Sequence, residues 1–511
     1  MSPAVTASEA ISQSLSRPRK LEDPKERAAL VAEIKALEEK EKTEMEAKAR
    51  RLGLPISGTR PNGRPFVLRG FEGDTPLYES PDNINAAIST AADQVRGVVP
   101  FSVEGASIVA GIWESGGIPR LTHQEYAGRV VVKDGSSGAT SHATHVTGTV
   151  AGTGINPLIK GMAPQVRVDA YNSTNDLSEM TAAGAAVSGE PNKIQLSNHS
   201  YGTRRGWYDD GVSWLGVFSD DGNPANDVDY GFGRYDASAA ALDGMTYNLP
   251  YYLPFFSNGN MRSVGPPAAG ATWYQGIGGT ARIYNPAQHP AGNGVYKIQY
   301  DTMDGRKTAK NIMSIGAAND AVSGGQRQPS NGTLTSFSSS GPTDDGRIKP
   351  DLVANGASLT SAGSSSDTAT QTSSGTSMST PNAMGSTVLL LDYFQERFPG
   401  QTMRASTIKG LLIHTADDIG NPGPDYLYGW GLMNTLAAAQ VIRDHADGGG
   451  NPVIVEDILT TAAPAKSSSF TWNGTDAIRV TLCWTDPAGT STTNHDDRSP
   501  RLVNDLNLKV T

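Results

Sequence analysis

Four short apolar runs, each breaking off into polar and glycine-bearing residues, restrict the fold of this chain more than its composition does. They are SIVAGIW, which ends just before Glu114, QLSNHSYG at 195–202, YYLPFFSNGN at 251–260 and NIMSIGAAND at 311–320. Runs so short and so continuously apolar suit strands buried on both faces, which is the pattern of a parallel sheet. The stretches between them have room for crossover helices. The expected class is α/β, a parallel sheet with helices on both faces. In such sheets a site lies beyond the carboxyl ends of the strands, so the polar residues that end each run are the ones to examine.

Charge and hydropathy exclude two classes of partner. Lys and Arg number 42 against 52 Asp and Glu, a net charge of -10, which gives no general attraction to phosphate backbones, and nucleic acid is not an expected partner. No apolar run approaches the ~18 residues of a membrane span, so a membrane partner is not expected either. Gly at 57 and Pro at 31 of 511 residues imply many tight turns and surface loops. Cys483 is the one cysteine, so no internal disulfide can form, and its place in an alternating strand pattern suits core packing. The opening MSPAVTASEAISQSLSRPRK has no uninterrupted apolar stretch of the signal-peptide kind.

The chain divides into three by its patterning. After a polar, Ser-rich start, Asp23-Pro24-Lys25-Glu26 reads as N-cap, Pro at N1 and a returning Glu. A helix is expected from there, with Leu30, Ile34, Leu37, Met45, Ala49 and Leu52 on one stripe and Gly53 and Pro55 as its stop. Residues 1–95 form an N-terminal helical extension, and 96–448 carry the α/β pattern. From DGGGNP onward SSSFTW, AIRVTLCW and RLVNDLNLKVT alternate as strands do, which predicts a β-rich, jelly-roll-like domain over 449–511. That stretch is shorter than the roughly 100 residues of a closed sandwich, so the expectation is the start of such a domain.

Two segments carry chemistry. In SSGTSMSTPNAMGSTVLLLDYF, residues 373–394, Ser377 stands at the start of an apolar helix, where free backbone N–H groups and the macrodipole favour a developing oxyanion. An ordinary Ser N-cap has the same local appearance. In DGSSGATSHATHVTGTVAGTG, residues 134–154, His142 opens a helix of small residues able to pack closely on a neighbour. His142 and His145 have the spacing of a metal pair, but neither the HExxH glutamate nor a Cys cluster accompanies them.

GTSMSTP around Ser377 and HATHVTGTVAG around His142 are similar to the two diagnostic motifs of the subtilisin-like serine proteases, in the acid, His, Ser order that family uses. The resemblance spans roughly 84–448 and takes in SFSSSGPTDDGRIKPDLVANG at 336–356. It implies a subtilisin-like three-layer fold, with His142 as general base, Ser377 as nucleophile, and His145 as a packing histidine. Ala143 stands where the family usually has Gly, adding one methyl group. The triad acid falls on Glu114, 28 residues before His142, where the family has Asp. The extra methylene has to be absorbed by strand or rotamer shifts. Asp134, eight residues before His142 in a turn-rich stretch, is the other nearby acid.

By the same resemblance SNGN places the oxyanion amide on Asn260, and Ser200, Tyr201 and Gly202 form the substrate-binding edge, to which a peptide would add as a strand; a turn-forming role is the ordinary reading of Asn258. The insertion after Gly202 is rich in aromatic residues, among them Trp207, Trp214 and Phe218, and in acids, Asp209, Asp210, Asp220, Asp221, Asp227 and Asp229. It is expected to shape the substrate cleft. Structural Ca²⁺ is expected from the resemblance, with no ligand assigned, since no EF-hand spacing is present; no organic cofactor is expected. The resemblance further implies a secreted, monomeric endopeptidase acting on proteins and peptides, the alkaline branch with an added C-terminal β-sandwich being the nearest in kind, and residues 1–95 as a pro-segment. The rival reading is a non-catalytic peptide-binding module on the same fold, with Glu114 marking a disabled triad.

Overall fold

The computed structural model describes residues 24–59, 65–72, 75–79, 82–203, 205–209, 213–218, 231–275, 280–448, 454–475 and 477–511. The chain forms two compact units, 1–81 and 82–511.

The first unit holds a helix, Pro24–Arg51, and a three-stranded antiparallel sheet of Ser57–Thr59, Pro65–Glu72 and Thr75–Glu79. The helix ends where the sequence stops it: Gly53 turns to φ +66°, and the Leu54 N–H returns to the Ala49 carbonyl at 2.9 Å. Of the apolar stripe, Ala49 is buried, Met45 half-buried and Leu52 exposed. Leu30, Ile34 and Leu37 lie outside the described side chains, and Asp23, the expected cap, lies outside the described residues.

A seven-stranded sheet organises the second unit. Its strands are β1 (Val109–Glu114), β2 (Val130–Val132), β3 (Arg167–Asn172), β4 (Leu196–His199), β5 (Leu253–Ser257), β6 (Met313–Ala318) and β7 (Leu352–Asn355). All neighbours are parallel, in the order β7-β6-β5-β4-β1-β3-β2. The four apolar runs are β1, β4, β5 and β6, the centre of the sheet. Successive residues of these strands enter two different cores: Ile112 and Phe255 join one with Val146, Met384 and Val388, while Trp113 and Phe256 join the other with Met180, Leu242 and Tyr252. Two apolar cores on two faces of one sheet make the three-layer architecture.

Strand order reverses between β1 and β4, which opens a crevice beyond their carboxyl ends. Two helices frame it, α1 (Ser141–Ala151) and α2 (Thr376–Arg397), which pack on each other. A small residue permits that approach: a Cβ on Gly385 of α2 would lie 3.3 Å from Val150 Cα of α1, while Gly148 of α1 admits the strand Leu359–Ala362, a Cβ there falling 2.5 Å from Ser361 Oγ. The helix Asp82–Ser89 is also built into this unit, with Ala86 and Ala87 fully buried and Thr90 Oγ1 3.2 Å from Asn382 Oδ1 of α2.

Part of the aromatic insertion folds into a four-stranded sheet of Gly206–Asp209, Trp214–Val217, Thr272–Gln275 and Ala281–Ile283, closed by Trp207, Phe218, Trp273 and Tyr284. Asp209 is exposed, while Asp210, Asp220, Asp221, Asp227 and Asp229 lie outside the described residues.

The carboxyl-terminal stretch departs from its pattern. SSSFTW, AIRVTLCW and RLVNDLNLKVT form no ladder among the described residues, and Phe470, Trp472, Ile478, Val480 and Leu482 are exposed. Alternation makes a strand only where a neighbour supplies backbone hydrogen bonds. What anchors the stretch is polar: the buried Lys310 ammonium donates to Asp486 Oδ2 (2.5 Å), the Pro487 carbonyl (2.6 Å) and the Arg501 carbonyl (2.9 Å). Cys483 packs against Gly410 of the helix Ala405–Thr415. No helix among the described residues is long and apolar enough to cross a membrane.

Candidate active site

Glu114 is the last residue of β1, the strand between β3 and β4, and pairs with Asn172 of β3. Its side chain is 1% exposed, and Oε2 lies 2.5 Å from His142 Nδ1. His142 is the second residue of α1, where the capping Thr140 hydroxyl accepts the Ala143 N–H at 3.2 Å and the Ala143 methyl group is fully buried. The extra methylene of Glu114 is thus taken up by reach, and the carboxylate meets the imidazole directly. A carboxylate at Nδ1 keeps the proton there and leaves Nε2 as the acceptor. Burial raises the Glu114 pKa, while the charge and hydrogen bond of His142 oppose that rise. Glu114 Oε1 is buried with no hydrogen-bond partner among the described residues, so His142 is the group that offsets the cost of ionising this carboxyl.

Ser377 is the second residue of α2 and half-buried. Its N–H belongs to the first turn, where no intrahelical acceptor exists. Pro381, four residues on, has no N–H to give the Ser377 carbonyl. Ser200 Oγ donates to that carbonyl instead, at 3.0 Å, and Ser377 Oγ donates to the Ser200 carbonyl at 3.2 Å. The proline therefore frees the contact that locks the start of α2 to the end of β4. The Ser377 hydroxyl is thus directed at the Ser200 carbonyl, and catalytic hydrogen bonds of such a site tighten only when substrate binds. Ser141, next to His142, bonds Gln371 in the strand that leads to Ser377.

Asn260 follows β5. Its Oδ1 accepts from the Thr376 N–H (2.9 Å) and the Thr376 hydroxyl (3.0 Å), which turns the amide NH₂ away from Thr376. That NH₂ sits beside Gly375, where φ is +155° and a Cβ would lie 3.2 Å from Asn260 Nδ2. Glycine is needed there both for the backbone angle and for space. Thr376, which also accepts the Gly259 N–H at 3.1 Å, positions this amide and was not singled out by sequence, although it adjoins Ser377 in the motif. Asn258, read from the sequence as a turn former, is a framework residue: fully buried, it donates to the Ser339 carbonyl (2.5 Å) and accepts from Ser314 Oγ (2.6 Å).

The expected substrate edge is brought to the crevice in a modified form. Ser200 is tied to Ser377, as described, and Gly202 is exposed. The Tyr201 side chain turns inward: its hydroxyl donates to Asp176 Oδ2 (2.8 Å) and lies 2.8 Å from His199 Nδ1, and Arg306 pairs with Asp176. Burial holds His199 down at about 3, so it is neutral in this network. Sequence reading gave no signal for Asp176 or Arg306, which lie 130 residues apart.

The two rejected alternatives have structural employment. His145 is fully buried, its Nε2 is 2.8 Å from the Leu359 carbonyl, and burial lowers its pKa to about 4. Asp134 accepts the Ser136 N–H (3.0 Å) and the Asn172 N–H (2.7 Å), holding a turn.

A parallel α/β sheet with a histidine–carboxylate pair, a serine at a helix start and a side-chain amide gathered at its switch point defines the class of α/β serine hydrolases. The subtilase family model matches residues 122–431, and the chain belongs to that family. Subtilisin DY of Bacillus licheniformis is 26% identical over 345 residues, which cover 66% of this chain and 92% of that protein. The serine protease/ABC transporter B family proteins tagA and tagD of Dictyostelium discoideum are 27% and 26% identical over 34% and 35% of this chain. The match spans only 11% and 13% of the length of those two proteins. The solved structure of the prenylagaramide maturation protease PagA aligns over 66% of this chain and 94% of its own, with 17% identity and a TM-score of 0.42.

Proposed function

We propose that this protein is a serine endopeptidase in which Glu114 replaces the usual triad aspartate. The observation that carries the reading is the 2.5 Å contact between the buried Glu114 carboxylate and His142 Nδ1. His142 takes the Ser377 proton, Ser377 attacks the peptide carbonyl, and the Ser377 N–H with the Asn260 amide stabilises the tetrahedral oxyanion. His142 then protonates the leaving amine, and water repeats the sequence to release the acyl group. The substrates are proteins and peptides laid along Ser200–Gly202, secretion places the enzyme among them, and the 1–95 region acts as a pro-segment.

Asn260→Ala tests the oxyanion role. It is expected to lower kcat by about 10²- to 10³-fold on a chromogenic peptide with KM little changed, since the bond strengthens only in the transition state. Equal losses through KM alone would place Asn260 in ground-state binding.

A structural Ca²⁺ belongs to the same proposal. Among the described residues Asp301, Asp344 and Asp496 form the group whose carboxylate oxygens come within 4.8 Å of one another. The hard oxygen donors fit calcium. Burial pushes the Asp344 carboxyl up to about 7, and the charges of Asp301 and Asp496 add to the rise; a divalent cation would offset that carboxylate repulsion. Lys297, 2.5 Å from Asp301 and 2.7 Å from Asp496, is the cation such an ion would displace. In the Ser377→Ala background, Ca²⁺ is expected to raise Tm by a few degrees over EDTA, and Asp344→Asn to abolish the rise. A rise unaffected by Asp344→Asn would move the ion elsewhere.

A further inference from the structure

The two strand-end glycines nearest the proposed nucleophile share one neighbour. A Cβ on Gly202 would lie 2.0 Å from Lys307 Nζ and 2.5 Å from Asp304 Oδ2, and a Cβ on Gly259 would lie 3.9 Å from the same Nζ and 3.0 Å from Ser339 Oγ. Gly202 ends the proposed substrate edge, two residues from the Ser377-bound Ser200. Gly259 adjoins Asn260 and is bonded to Thr376. An ammonium therefore stands between the two chain segments that flank Ser377.

Its hydrogen bonding is incomplete. Lys307 is buried, with its side chain 3% exposed, and among the described residues its ammonium has Asp304 Oδ2 as its side-chain partner. An ammonium has three N–H donors, so capacity remains. Ser339 Oγ accepts the Met261 N–H at 3.0 Å, and its own proton has no acceptor among the described residues. Beside the Asp304 carboxylate, two ammonium N–H groups and the Ser339 proton thus have no acceptor among the described residues. The segment is held from behind, because Arg306, next to Lys307 in the turn Gly305–Thr308, pairs with Asp176, which also takes the Tyr201 hydroxyl.

We infer that Lys307, with Ser339 and tempered by Asp304, selects substrates carrying an acceptor-ended side chain, a carboxylate or carboxamide, at the residue whose carbonyl Ser377 attacks. The inference rests on the endopeptidase reading, which lays the substrate along Ser200–Gly202, and extends it by seating one substrate side chain between Gly202 and Gly259. A side chain entering between the two glycines reaches donors that would otherwise be left unmatched, and leaving them so is costly in a buried site.

The test compares kcat/KM for peptides identical except for Glu, Gln, Leu or Lys at that residue. Each ratio is read on one preparation, so the folded fraction cancels. The intact protein is expected to prefer Glu and Gln over Leu and Lys by about tenfold or more. Lys307→Met is expected to erase the preference, and Asp304→Asn to raise the Glu-to-Leu ratio by removing the competing charge. Leu or Lys equal to or better than Glu in the intact protein overturns the inference, as does a Glu-to-Leu ratio that neither variant moves. Cleavage that stops in Ser377→Ala yet ignores residues 304 and 307 sinks this inference alone; no Ser377-dependent cleavage sinks the endopeptidase reading with it.

Discussion

Replacing Ser377 with Ala is expected to lower kcat on a peptide substrate by about 10⁶-fold, the scale found for a subtilisin, with KM changing little. The hydroxyl is the one group at the helix start that can form the acyl-enzyme, and nothing beside it can substitute: Ser200 Oγ is engaged on the Ser377 carbonyl, and Thr376 on Asn260. The residue left should still bind peptide and retain the amide and helix N–H donors, so a small residual acceleration over water is expected. Progress curves at high enzyme concentration measure it. A loss of tenfold or less would mean that another group attacks the carbonyl.

The second large effect falls on Glu114. Glu114→Gln keeps the shape but removes the charge that holds the proton on Nδ1, and about a 10⁴-fold loss in kcat is expected. Glu114→Asp is the sharper experiment. The family's usual residue is the shorter aspartate, whereas here the Glu reaches the imidazole at 2.5 Å from the last residue of β1, which pairs with Asn172 of β3. Shortening the side chain by one methylene withdraws the carboxylate by roughly 1.5 Å. It also leaves a buried charge less well paired. A drop of about 10- to 100-fold in kcat is expected, with KM unchanged. Activity equal to the parent, or higher, would show that the strand end or α1 adjusts freely, or that the glutamate is a handicap.

Much of this architecture is readable from the chain. Apolar continuity marks β1, β4, β5 and β6 because strands buried on both faces have no polar side to display. β2 is three residues long, and β3 carries Arg167 and Asp169, so neither presents that signal. The motif residues are local and legible: a serine before small helical residues, a histidine at a small-residue helix start. Their partners are not. Thr376 acts through a side chain 116 residues from Asn260, and Asp176 meets Arg306 and Tyr201 across the sheet. Pairings of that kind have no periodicity to betray them. The carboxyl-terminal stretch fails for the opposite reason: its alternation is clear, but alternation states only which side chains share a face, and it does not supply the neighbouring strand. The inward turn of Tyr201 is likewise invisible, since the residue type suits an exposed edge as well as a buried network.

The most direct test of the central claim, that His142 and Ser377 act as one unit, is kcat/KM on a single chromogenic peptide for the intact chain, Ser377→Ala, His142→Ala and the double variant. Residues that serve one proton transfer lose the same thing once, so the double variant should be no slower than Ser377→Ala by more than a few-fold. If the two losses multiply, or if His142→Ala retains near-parental activity, the two residues work independently and the account is wrong.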